Sequence, residues 1–170
     1  MFRDHCLVCD SANIEEIIDL GSHPFADTFI PDSKKSMADM VYPLVCTLCN
    51  ECGHVQTKCV TNPQDRYSQN DYSYTSSNSS FARNHWDLYS KEISQEINLP
   101  LGSLIFEAGS NDGYLSEQFN SVGYKAIGIA PSPYMAELAK KRGVTTEIGL
   151  FGDASVNESL ENYGSAKLIV

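Results

Sequence analysis

The sequence predicts an α/β protein of two small domains, the first held together by a metal ion and the second built on a parallel, doubly wound sheet. Three observations predict it: C-x-x-C knuckles recur near residues 6 and 49, strand-like and helix-like segments alternate from residue 103 onward, and a glycine-rich turn separates the first of those strands from its helix. A chain of 170 residues, 42% hydrophobic, can bury one ordinary core; a second, smaller unit then needs another source of cohesion. The expected division is a metal-binding domain over residues 1–62, a connector and helix over 63–100, and a partial α/β domain over 101–170.

The first element is the knuckle Cys6-Leu7-Val8-Cys9, and two overlapping ones lie in Cys46-Thr47-Leu48-Cys49-Asn50-Glu51-Cys52. Two residues between paired cysteines let a tight turn aim both sulfurs at one point, and Zn²⁺ favours four sulfur or nitrogen ligands in a tetrahedron. Cys6, Cys9, Cys49 and Cys52 are the expected ligands, because Gly53 follows Cys52 and supports its turn. Cys46 is then a bystander or a substitute, and buried free thiols are the alternative reading of the set. The N-terminus has no apolar signal core and no run of about 18 apolar residues occurs, so the chain is expected in the cytoplasm and off the membrane. In that reducing compartment cysteines read as metal ligands before disulfides. Four thiolates leave no open coordination position, so the zinc is expected to be structural, ordering even the loop-like residues 21–33. Cys59 is expected as a core residue of a strand over 54–60, with His5 and His54 beside the metal site rather than on it.

After residue 62 the composition turns polar, and residues 67–80 are serine-rich with tyrosines at 67, 72 and 74. By composition this is a linker; its aromatics point instead to a stretch that packs or binds. Apolar residues at Phe81, Trp86, Leu88, Tyr89, Ile93 and Ile97 have near-helical spacing, with Ser80 as the expected N-cap and Pro100 closing the helix. Strands are then expected over 103–107, 125–130, 145–148 and 167–170, with helices over 113–122, 134–142 and 155–163 between them. The net charge of −10, from 12 basic and 22 acidic side chains, excludes nucleic acid as a natural partner. The longest basic run, Lys140-Lys141-Arg142, is expected to be a solvated helix end.

Between the first α/β strand and its helix lies Glu107-Ala108-Gly109-Ser110-Asn111-Asp112-Gly113. Ligands bind open parallel sheets at such strand ends, and Gly109 would let a cofactor approach the backbone. The turn lacks the G-x-G-x-x-G of dinucleotide enzymes, and the carboxylates of Glu107 and Asp112 repel a pyrophosphate but suit a sulfonium or ammonium cation. S-adenosylmethionine is therefore expected before NAD, on a Rossmann-like sheet.

Taken in order, the knuckle at Cys6, Asp19-Leu20-Gly21-x-x-Pro24-x-Ala26, Tyr42-Pro43-Leu44, Cys49-x-x-Cys52-Gly53-His54-Val55-Gln56, Tyr72-x-Tyr74-x-Ser76, Glu107-x-Gly109-Ser110-Asn111-Asp112-Gly113 and Gly128-Ile129-x-Pro131-Ser132 span essentially the whole chain. In this order they resemble the N-terminal part of the zinc-containing, S-adenosylmethionine-dependent sugar C-methyltransferase family, which acts on nucleotide-linked keto-deoxysugars. The resemblance implies Glu107, Gly109, Ser110, Asn111, Asp112, Gly113 and Ser132 at the cofactor. It implies Tyr72, Tyr74 and His85 as acid/base or orienting groups on the substrate side, with Ser76 and Ser77 as hydrogen-bonding neighbours. Removing a proton beside a ketone needs a base and an enolate stabiliser, and a tyrosine must have its pKa of about 10 lowered to serve as one.

Two departures stand out. Where the family carries an acidic residue for the ribose hydroxyls, just before Pro131-Ser132, this chain has Ala130; a lost charged hydrogen bond costs about 1.5–3 kcal/mol. The resemblance also leaves no counterpart here for the family's later strands and C-terminal substrate domain, so a complementary half, or self-association through an open apolar sheet edge, is expected. The alternative expectation is a non-catalytic zinc-containing interaction module.

Overall fold

The computed structural model describes residues 1–26, 40–67, 74–152 and 154–170, and the chain divides into two compact units, Met1–Asn70 and Asp71–Val170.

The first unit is a three-stranded antiparallel sheet, β1 (Ile14–Pro24), β2 (Val41–Cys49) and β3 (Val55–Thr57), in the order β1-β2-β3, followed by the single-turn helix α1 (Pro63–Tyr67). Residues 21–24, read from sequence as loop, continue β1: the strand bulges between Asp19 and Ser22, where Gly21 takes a φ of 82°, and then resumes its pairing with β2 as far as Pro24. Along β2 the alternation of a strand puts Val45, Thr47 and Cys49 on one buried face and Cys46 on the other. The expected strand over 54–60 shortens to β3, and Cys59 makes only an isolated bridge to Phe2 and is half-buried rather than in the core. Residues 63–65, read as linker, begin α1, with proline at the first helical position, where its missing N–H costs nothing.

The second unit opens with α2 (Ser80–Ile97), whose N-cap is Ser79 rather than Ser80: the Ser79 Oγ accepts from the N–H of Ala82 at 3.1 Å. There follow β4 (Leu104–Ala108), α3 (Tyr114–Ser121), β5 (Lys125–Ala130), α4 (Pro133–Lys141), β6 (Thr145–Ile148), α5 (Ala154–Tyr163) and β7 (Leu168–Ile169). All strand pairs of this sheet are parallel, in the order β6-β5-β4-β7. A strand buried on both faces reads as a continuous apolar run, and β4 shows why. Leu104 and Phe106 pack with Ile127 and Ile129 on the side of Tyr163, while Ile105 packs with Leu115, Phe119 and Ala126 on the side of Trp86, Tyr89 and Ile93. Helix α2 thus belongs to the core of the α/β unit.

The strand order reverses beside β4: β5 and β6 build out on one side and β7 on the other. At such a switch point the loops leaving neighbouring strands part, opening a crevice at the strand C-termini, and the turn over 109–113 follows β4 there. Gly113 ends the turn with a φ of 76°, and a Cβ placed on it would lie 2.7 Å from the Ala139 Cβ on α4. Gly113→Ala therefore combines backbone strain with overpacking and is expected to lower stability by about 2–4 kcal/mol, measured as a fall in the urea midpoint without a change in slope.

Candidate functional site

In the first unit, tight turns at residues 6–10 and 49–53 bring the two knuckles together. The N–H of Asp10 donates to the Cys6 carbonyl at 3.0 Å and that of Gly53 to the Cys49 carbonyl at 2.9 Å, and Gly53 adopts a φ of 74°. The Gln56 side chain pins the first turn to the sheet, accepting from the Leu7 N–H at 2.9 Å and donating to the His5 carbonyl at 2.8 Å. The sulfurs of Cys6, Cys9, Cys49 and Cys52 all lie within 4.8 Å of one another. Sγ of Cys6 and Cys52 are 3.6 Å apart, and those of Cys9 and Cys49 3.5 Å. Zn–S bonds of about 2.3 Å in a tetrahedron put sulfurs about 3.8 Å apart, so the four residues fit zinc. The Val8 N–H donates to the Cys6 sulfur at 3.4 Å, and a hydrogen bond from the Cys9 backbone is the main cause that brings the Cys6 thiol down to about 6. Hydrogen bonds from the Ser11 and His54 backbones lower the Cys9 and Cys52 thiols, but the crowding of four sulfurs outweighs them and pushes both up, so an ion binding there displaces their protons. Cys46, on the opposite face of β2, is outside the cluster. His5 is exposed and bonds Asp4, 2.9 Å away, rather than pointing into the cluster.

In the second unit the segment from Tyr74 to Ser77 lies against the glycine-rich turn. Asn111, in the left-handed region at φ 51°, donates from Nδ2 to the Tyr74 carbonyl at 2.9 Å, while its Oδ1 accepts from the N–H groups of Ser76 at 3.0 Å and Asp112 at 2.8 Å. Asp112 is 1% exposed. One of its oxygens accepts from the Ser76 hydroxyl at 2.5 Å; the other takes the Ser77 hydroxyl and, at 3.2 Å, the Arg142 guanidinium. Arg142 also donates to the Ser77 Oγ at 2.8 Å and to Glu117 at 3.1 Å, and its guanidinium lies over the Tyr114 ring. The basic run is thus not simply a solvated helix end. Lys140 and Lys141 are exposed, but Arg142 turns back to neutralise a buried carboxylate. Asp112 is correspondingly occupied, and the negative charge expected to attract a cationic ligand there is already paired.

Glu107 sits near the end of β4, 9% exposed, and its Oε2 accepts from the Ser116 hydroxyl at 2.6 Å. Burial is the main cause that pushes its carboxyl up to about 7, with a further push from the charge of Asp112 and a partial offset from Ser116. Ser110 is 1% exposed, and its Oγ has no hydrogen-bond partner among the described residues. Gly109 is exposed at the mouth of the turn, with a φ of 74°. Ser132 is the N-cap of α4, its Oγ accepting from the Met135 N–H at 3.3 Å. Ala130 is buried at the end of β5. Tyr74 is 47% exposed and reaches the turn through its carbonyl; Tyr72 lies outside the described residues. His85 is exposed on α2, edge-on to the Trp86 ring at 4.7 Å. Arg142 escaped sequence reasoning because nothing local distinguishes it from the lysines before it.

With the geometry in place, the comparisons with known proteins bear on both units. Residues 6–67 match a methyltransferase family model described as "Putative zinc binding domain". Over 166 residues the chain is 26% identical to the C-methyltransferase NovU of Streptomyces niveus, an alignment that covers 98% of this chain and 39% of that protein. The chain is thus similar, over nearly its whole length, to part of a C-methyltransferase. It spans about two fifths of that relative's length, and its Cys-rich first unit is a zinc-binding region. Among the described residues no helix is long and apolar enough to cross a membrane.

Metal analysis of the purified chain is expected to give about one zinc per molecule. Cys49→Ser should bring it below half, and chelation should abolish amide protection in β1–β3. Glu107 carries a pH signature. Its raised pKa means the folded chain holds a proton that the unfolded chain releases from about pH 4.5. The associated stability is full below that pH and is lost as pH rises through about 7. Between about pH 5 and 8 the loss is on the order of 2–3 kcal/mol, and Glu107→Gln, compared with the parent by urea unfolding at both pH values, is expected to remove that slope.

Proposed function

We propose that this chain carries the zinc-binding and cofactor-binding parts of an S-adenosylmethionine-dependent C-methyltransferase acting on a nucleotide-linked keto-deoxysugar. The observation that carries the reading is the docking of Tyr74, Ser76 and Ser77 onto the glycine-rich turn at the switch point of a parallel sheet. It is joined by the likeness, over 98% of the chain, to a C-methyltransferase. The zinc, held by Cys6, Cys9, Cys49 and Cys52, is structural, since four thiolates complete its coordination.

The turn offers S-adenosylmethionine an exposed glycine for close approach at Gly109 and an unpartnered buried hydroxyl at Ser110. A protonatable carboxyl, Glu107, lies just before them. When bound, the cofactor supplies an electrophilic methyl on a sulfonium. The chain's own residues hold it and place the substrate side: Asn111 fixes the Tyr74 backbone, and the Asp112–Arg142 pair fixes Ser76 and Ser77. Tyr74 stands beside the turn as the orienting or acid/base group, with Tyr72 assigned the same role by its place in the motif and His85 a further candidate. Ser132, spent on its helix cap, contributes by holding the N-terminus of α4. Glycine-rich turns of this shape also occur in proteins that bind no adenosyl cofactor, and Ala130, in place of a ribose-binding acid, favours a second reading: a zinc-containing interaction module without turnover.

Calorimetric titration of the zinc-loaded chain with S-adenosylmethionine and S-adenosylhomocysteine separates the two. Saturable binding, tightened about ten- to a hundredfold by Ala130→Glu, is the expected outcome, with the unfolding midpoint confirming that the variant folds. Absence of binding by a folded, zinc-loaded chain overturns the methyltransferase reading and leaves the interaction module.

A further inference from the structure

The zinc-binding unit contains a cavity of about 290 Å³ that the zinc site does not use. Its walls come from the ends of β1 and β2, from β3 and from α1, and include His23, Phe25, Tyr42, Thr57, Thr61 and Arg66. Arg66 is the one lysine or arginine of that wall, and no carboxylate lines it among the described residues. In a chain with 22 acidic and 12 basic side chains, that makes the cavity a local exception in charge.

Two rings hold the guanidinium: its carbon lies 5.8 Å from the Phe25 centroid and 5.3 Å from that of Tyr67. Phe25 is itself stacked on Tyr42 at 4.5 Å. Such contacts orient the planar cation but accept none of its hydrogen bonds. The Arg66 Nε is shut off from solvent and has no hydrogen-bond partner among the described residues, and a buried donor left unmet is destabilising until an acceptor reaches it. A cation fixed by aromatic faces, with a donor left open beside a cavity free of carboxylates, calls for an anionic acceptor with several oxygens.

We propose that this cavity binds the phosphate or diphosphate group of a small molecule, with Arg66 as its charged contact and the hydroxyls of Thr57 and Thr61 as flanking donors. Arginine's fixed fork of N–H groups matches phosphoryl oxygens, giving charge-assisted bonds about twice as strong as neutral ones. The site does not rest on the methyltransferase reading: a chain that fails to bind S-adenosylmethionine still carries it. A diphosphate is also the anionic part of the nucleotide-linked sugar proposed as substrate, so the two readings are compatible but fail separately.

The test is calorimetric titration of the zinc-loaded chain with inorganic pyrophosphate and with uridine diphosphate, for the parent and for Arg66→Gln and Arg66→Lys. Saturable binding, weakened tenfold or more by Arg66→Gln and less by Arg66→Lys at unchanged zinc content, is expected. Equal affinity for the two probes assigns the site to the diphosphate alone, and tighter binding of uridine diphosphate assigns it to a nucleotide. Saturation by neither probe, or undiminished binding to Arg66→Gln, overturns the proposal. Because a variant can lose its fold, phenylglyoxal labelling of the parent chain gives a second readout. Pyrophosphate should slow modification of Arg66 at least severalfold, and an unchanged rate at saturating pyrophosphate also overturns the proposal.

Discussion

The α/β unit is organised around one buried carboxylate. Asp112 is almost fully withdrawn from water, and an ionised carboxylate in that position is tolerated only where donors replace its hydration. The donors come from two stretches distant in sequence, Ser76 and Ser77 before α2 and Arg142 after α4, while the residue's own N–H donates to the Asn111 side chain within the turn. Satisfying one side chain therefore fixes both the tyrosine–serine segment and the end of α4 against the glycine-rich turn. Such a network holds firmly when complete, and the loss of any member leaves the rest short of a partner.

The zinc-binding unit solves a different problem. Its strand β1 is exposed along nearly its whole length, so apolar burial contributes little to its cohesion. Ligands near the start of the unit and at the end of β2 close a loop of about forty residues through one ion, drawing on the large free energy of thiolate–zinc bonding. The knuckle turns, the Gln56 clamp and the pairing of β2 with β3 all converge on that point.

The α/β elements were legible because β4 and β5 are apolar runs bounded by turn residues: the limits read for β5 and β6 match those observed, and the helices between strands differ by a residue or two at their ends. The cysteine pairs were legible because two-residue spacing has few other uses, and the four expected sulfurs are the four that converge. Strands β1 and β2 were not. Glu15, Glu16 and Asp19 break any alternation in β1, and Pro43 lies within β2, so their pairing shows only when the two are laid side by side. Arg142 and Ser77 were illegible as partners of Asp112 for a related reason. A charge at a helix end reads as solvated until the fold brings a carboxylate from thirty residues away to meet it.

The position of Glu107 on the pH scale has a consequence for thermodynamic measurement. With its carboxyl pushed up to about 7, the residue is roughly half protonated in neutral buffer, so any ligand that brings positive charge near it drives off a fraction of a proton. The heat recorded on binding such a ligand then includes the ionisation enthalpy of whichever buffer captures that proton. Titrations in phosphate and in Tris would differ in apparent enthalpy while agreeing in affinity, and the difference counts the protons released.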